Sequence, residues 1–203
     1  MNKTIEAINN RRSVRLYEQK PVSKDVVNTI IEAAQNAPFM SDQRYQPWRF
    51  VVVEDQEFKQ KLVQTIEPMR SRFVERLKET QPETYERAQK QYGIYDDPSD
   101  LIFYSAPVVI YVIAPAVNSV GSAMVCQNII TAAGSLGLGS CYVGFGSLVQ
   151  SNADVVKALE LSDDERIYGP VILGYPKVNP SESQVRTLAE LRPKKRDPVV
   201  KWI

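Results

Sequence analysis

The chain has 203 residues, with 25 Lys and Arg against 24 Asp and Glu, a formal net charge of +1, and no histidine. That balance argues against a nucleic-acid surface, and the missing histidine excludes Ser-His-Asp and Cys-His nucleophilic machinery and any histidine-ligated metal. If the protein is an enzyme, a bound cofactor is the expected source of its reactive chemistry.

Met1-Asn2-Lys3-Thr4 leads into a polar amphipathic segment, unlike an apolar signal region. At the end of this short helix, Arg11-Arg12-Ser13-Val14-Arg15 sets three arginines and a hydroxyl within five residues. Such a cluster can wrap a phosphate with charge-assisted hydrogen bonds. A second basic knot, Arg192 with Lys194, Lys195 and Arg196, lies near the other end. Two local knots on a neutral chain suit one small anion better than a polyanion.

Ser23 is a plausible cap for a helix carrying Val26, Val27, Ile30, Ile31 and Ala34 on one face and ending near Asn36-Ala37-Pro38. Arg49–Val53 reads as a strand. Phe58, Leu62 and Ile66 mark a helix that Pro68 is expected to break; Met69, Phe73 and Leu77 repeat the spacing up to Pro82. A polar helix follows from Glu83 to Tyr92. Residues 65–100 are thus expected to form a peripheral helical excursion, within a single domain spanning 1–203.

From Leu101 to Ala153 the chain carries no charged residue, which predicts core or interface. Pro107 to Ala114 reads as a strand buried on both faces, and the apolar run to Val117 is too short to span a bilayer. Ser119–Leu136 is apolar or small all round, so it is either a central core helix or the core of a dimer. The cysteines, Cys126 and Cys141, have neither CxxC spacing nor histidine neighbours, and buried thiols are expected. Gly137 reads as a helix C-cap and not as part of a phosphate loop, because the glycines follow a helix and precede a strand. Strands are predicted at Ser140–Phe145 and Tyr168–Tyr175, with a short helix from Asn152 to Leu159 between them. Gly144-Phe145-Gly146 is either a plain turn or a place where a ligand approaches the backbone. From Pro176 the chain turns polar and Pro-rich, and 177–203 is expected to be a tail. The class is α+β, helices flanking a central sheet. A cytoplasmic protein without membrane partners is expected.

Arg-Arg-Ser-Val-Arg-x-Tyr near the start, Ala37-Pro38 ahead of Gln46-Pro47-Trp48-Arg49-Phe50, and Gly137-Leu138-Gly139-Ser140-Cys141 resemble, in order, the nitroreductase family of FMN-dependent reductases. The resemblance implies a mostly antiparallel sheet flanked by helices, in an intertwined homodimer with two FMN sites at the interface. It implies that Arg11, Arg12, Ser13 and Arg15, with Lys194 and Arg196 from the tail, hold the phosphate and ribityl end. Gly144, Phe145 and Gly146 would meet the flavin N5 edge, and Pro38, Phe39, Met40, Ser41 and Arg44 would pack on the ring from the partner subunit. The 38–46 loop departs from the family pattern, with two extra residues and Arg44 where Asn is usual. The implied activity is ping-pong transfer of hydride from NAD(P)H through flavin to a small organic acceptor, such as a nitroaromatic or quinone. No side chain need act as an obligatory acid or base. The alternatives are flavin cleavage, dehalogenation or dehydrogenation, or a flavin sensor or storage protein without turnover.

Overall fold

The structure, a computed structural model, describes residues 2–39, 44–192 and 198–201. Four antiparallel strands form its centre: β1 (Arg49–Val53), β2 (Val108–Pro115), β3 (Gly139–Tyr142) and β4 (Glu165–Gly174), in the order β1-β2-β4-β3. β2 is buried on both faces, and its period-two alternation feeds two cores. Ile110 and Val112 pack with Ile30, Trp48, Val125 and Ile129 on one face; Val109, Tyr111 and Ile113 pack with Leu62, Ile66, Phe103 and Val149 on the other.

The first layer holds α2 (Lys24–Ala34), capped by Ser23, and α5 (Ser119–Ser135). The C-terminus of α5 closes in a Schellman motif: Leu138 N–H bonds the Ala133 carbonyl at 2.9 Å, and Gly137 N–H bonds that of Gly134 at 3.2 Å. Gly137 has φ +78°, the left-handed value the motif needs. α1 (Lys3–Asn10) also contacts α5. The second layer holds α3 (Gln56–Thr80), a 3-10 stretch over 144–151 and α6 (Ala153–Ala158). α4 (Pro82–Tyr92) and α7 (Glu182–Leu191) pack outside it.

Three expectations need correction. Pro68 does not break the helix: α3 is continuous from Gln56 to Thr80. Pro68 and Gln64 are exposed, so water can reach the carbonyl that the proline leaves without a donor, while buried Leu62 and Ile66 before it and Val74 and Leu77 after it anchor both halves. The strand expected at Ser140–Phe145 ends at Tyr142, and the chain enters a 3-10 turn at Gly144. Beyond Pro176, residues 182–191 form α7, opened by a capping box between Ser181 and Gln184.

Arg49, part of the Gln-Pro-Trp-Arg-Phe run, performs a structural task. It donates to both Glu165 carboxylate oxygens at 2.9 and 2.8 Å and to the carbonyls of Leu159 and Glu160 at 3.0 and 2.7 Å. These bonds join β1 to the start of β4. The Arg49 hydrogen bonds hold the Glu165 carboxyl down at about 2. Because the folded pKa lies below the ordinary value of 4.5, the associated stability is complete above about pH 5 and is lost as pH falls toward 2. Glu165→Gln should therefore flatten the decline of the melting temperature between pH 5 and 2. An acid limb as steep as that of the wild type would refute this assignment.

Candidate functional site

After α1 the chain crosses the free side of β3. Ser13 bridges Ser140 in parallel, and Val14 N–H donates to the Ser140 carbonyl at 2.9 Å. The approach is close: a Cβ on Gly139 would lie 2.7 Å from Val14 Cγ1. Local packing thus delivers Arg11, Ser13 and Arg15 to the sheet end from which the 144–151 turn departs. Arg11 Nη1 donates to Ser13 Oγ at 3.4 Å, and both residues are exposed. Arg12 is used differently, donating to the Asn9 and Arg11 carbonyls at 2.9 and 2.7 Å and so closing α1.

Arg15 is the electrostatic centre of this cluster. Its guanidinium sits over the Tyr104 ring, 5.6 Å from the centroid, and its Nε is buried without an acceptor. No carboxylate among the described residues pairs with it. Burial opposes its charge, but Cys141, Tyr104 and Tyr95 nearby outweigh this and raise its pKa. Burial likewise pushes the Tyr104 phenol up to about 12, so Tyr104 supplies no negative charge at neutral pH. A half-buried cation with an idle donor and no counter-ion is a ready anion site.

The adjoining turn adds backbone donors. Val143 N–H is taken by the Pro170 carbonyl at 2.9 Å, and Gly146 N–H by the Val143 carbonyl at 3.0 Å. The Gly144 and Phe145 amides have no acceptor outside the turn among the described residues. A Cβ on Gly144 would meet nothing within 4 Å, so its own chain does not require the missing side chain. Gly146 is the opposite case: a Cβ there would lie 2.2 Å from Pro170 Cδ, so packing accounts for that glycine. Phe145 meets Phe73 of α3 edge-on at 5.4 Å.

Pro38 and Phe39 lie elsewhere. The Pro38 carbonyl would be 3.2 Å from a Cβ on Gly121, near the start of α5, and Phe39 meets Trp48 edge-on at 5.8 Å. Residues 121 and 135 of a helix are separated by about 20 Å; Pro38 lies near the start of α5, whereas the Ser13–Ser140 bridge follows its C-terminus. Between them α5 exposes Val120 and Met124, and Val117 is exposed just before it. Arg44 is exposed and leans over Tyr45, 5.9 Å from the centroid. Met40, Ser41, Lys194 and Arg196 lie outside the described residues. Both cysteines are buried free thiols, and burial pushes the Cys126 thiol up to about 12. No described helix is long and apolar enough to cross a membrane.

Residues that sequence reasoning missed include Tyr104 and Tyr95, which underlie Arg15. Nothing in the local sequence marks them, because Arg15 and Tyr104 meet only through the fold.

A profile of the nitroreductase family matches residues 8–175. A protein of Methanothermobacter thermautotrophicus described as "Putative NADH dehydrogenase/NAD(P)H nitroreductase" is 27% identical over 183 residues, covering 87% of this chain and 78% of that protein. A nitroreductase from Desulfitobacterium hafniense, solved with bound FMN, superposes with a TM-score of 0.62 at 25% identity, covering 88% of this chain and 92% of that one. Iodotyrosine deiodinase 1 of Rattus norvegicus is 40% identical over 62 residues, 30% of this chain and 21% of that protein.

Proposed function

The chain belongs to the nitroreductase family, and from that premise we propose that it binds FMN and passes two electrons from NAD(P)H to a small organic acceptor. The observation that carries this reading is Arg15, half-buried with an unused Nε and no counter-ion, beside Arg11, Ser13 and the open Gly144. These residues fit a flavin mononucleotide: the arginines and Ser13 would hold the phosphate and ribityl end, and the Gly144 or Phe145 amide would meet the ring edge. Bound FMN would supply the redox chemistry, while this chain binds, orients and excludes water. With no dinucleotide-binding loop in the sequence, the nicotinamide would visit the same slot as the acceptor.

The active unit is a homodimer with composite sites. Antiparallel pairing of two α5 helices about a two-fold axis would bring the Pro38–Phe39 end of one chain to the Arg15 end of the other. The uncharged outer face of α5, which exposes Val120 and Met124, supports this arrangement. Beyond α7 the tail would reach the partner subunit; Val199 and Val200 are exposed, and among the described residues β1 pairs with β2 alone.

The short deiodinase match favours one second reading, reductive dehalogenation on the same flavin. Purified protein should be yellow, with near-stoichiometric FMN, and should oxidise NADH or NADPH with parallel-line kinetics. A colourless protein that FMN does not restore would sink both readings, and product analysis separates them. Arg11→Ala should weaken FMN binding about 10- to 100-fold, the loss of one charge-assisted contact. Unchanged affinity in a folded variant would remove Arg11 from the site.

A further inference from the structure

We infer that Tyr104, backed by Tyr95, is a positioning residue that holds the Arg15 guanidinium toward the bound anion. This rests on the reading of that cluster as the FMN site.

The local backbone is unusual. Tyr104 and Ser105 have φ +55° and +53°, consecutive left-handed residues in a segment without glycine. Side chains rarely adopt this conformation unless the surroundings enforce it. Here they do. Asp100 accepts from the Ile102, Phe103 and Ser105 amides at 3.1, 2.7 and 2.8 Å. Asp97 accepts from Ser105 Oγ at 3.0 Å, and Gln19 Nε2 donates to the Ser105 carbonyl at 3.2 Å. Buried Lys59 donates to the Ala106 and Pro107 carbonyls, each at 2.9 Å, fixing the exit from the turn.

What this turn presents is the Tyr104 ring. One side of it receives Arg15, and Tyr95 packs on it with centroids 4.6 Å apart. Tyr95 is buried, and its hydroxyl accepts from Gln91 Nε2 of α4 at 2.8 Å. The aromatic pair supports a cation that has no carboxylate partner among the described residues. A carboxylate in that place would neutralise Arg15 and compete with an anionic ligand. An aromatic face attracts the cation without cancelling its charge. The strained turn therefore sets the direction of Arg15 while its Nε stays without an acceptor.

Four variants test this, with FMN dissociation constants from flavin fluorescence and melting temperatures as the check on folding. Tyr104→Asn removes the ring but tolerates the left-handed backbone, so the fold should survive. It should weaken FMN about 10-fold, whereas Tyr104→Phe, which keeps the ring, should stay within about 2-fold of wild type. Arg15→Ala should weaken FMN by at least as much as Tyr104→Asn. The decisive comparison is Arg15→Ala/Tyr104→Asn: with Arg15 gone, losing the ring should add less than about 2-fold. An undiminished effect of Tyr104→Asn in the Arg15→Ala background would overturn the inference alone, as would unchanged affinity on adding Tyr104→Asn to wild type. A wild-type chain that does not bind FMN, or an Arg15→Ala variant that binds it normally, would overturn the inference together with the reading beneath it.

Discussion

Replacing Val120 and Met124 together with Asp should yield a folded monomer that no longer retains FMN. Val120 is 69% and Met124 42% exposed in the isolated subunit, while Val125, Cys126, Ile129 and Ala133 bury the other side of α5. The substitutions therefore leave the subunit core intact. They would place four carboxylates at a two-fold contact whose helices carry no charge to pair with them. Desolvating such unpaired charges costs several kcal/mol each, so the dimer should weaken at least on the order of 1,000-fold. The flavin would be lost as well, because Pro38 and Phe39 of one chain and Arg15 of the other would separate. Sedimentation velocity and the bound-flavin absorbance report the two effects together. A variant that sediments as a dimer with wild-type flavin content would show that this face is not the interface.

Gly146→Ala should lower stability by about 3 kcal/mol, or roughly 10 °C in melting temperature, whether or not flavin is present. The new methyl would sit 2.2 and 2.4 Å from Pro170 Cδ and Cγ, with Phe103 at 3.4 Å behind. Pro170 belongs to β4, between β2 and β3, so neither ring nor strand can swing away. Gly144→Ala, two residues earlier, meets nothing within 4 Å. It should leave the melting temperature of the apoprotein near wild type and weaken FMN instead. Calorimetry with and without FMN distinguishes them; equal loss of apoprotein stability in both would discredit the division of roles.

Much of the scaffold was legible because it rests on short-range rules. The Ser23 cap, the 26–34 face, the apolar strand at 107–114 and the Gly137 C-cap each follow from a few neighbouring residues, and the structure has all four. Pro68 misled because a proline's cost is local, whereas the packing that overrides it involves the 144–151 turn, α4 and, through Leu62 and Ile66, the core under the sheet. α7 had a readable signal, Ser181 with Gln184 three residues later, masked by the polar composition around it. At the site, the arginine triplet was legible, but the division of labour inside it was not. Arg12 turns back to close α1, Arg49 is committed to Glu165, and Arg15 depends on a tyrosine far along the chain. Tyr104 and Ser105 carry no mark of a left-handed backbone of the kind glycine gave at 137.

The crossing of residues 13 and 14 over β3 has a consequence for solubility. Among the described residues β3 pairs with one strand, β4, and its other side, left bare, would present open backbone groups ready to recruit a strand from another molecule. Ser13 and Val14 occupy that position. The segment that carries the arginines is therefore also a guard against aggregation, so release of the anion site from the sheet would unmask a sticky edge. Substitutions at these few residues would therefore act twice, on the proposed anion site and on the covered strand edge.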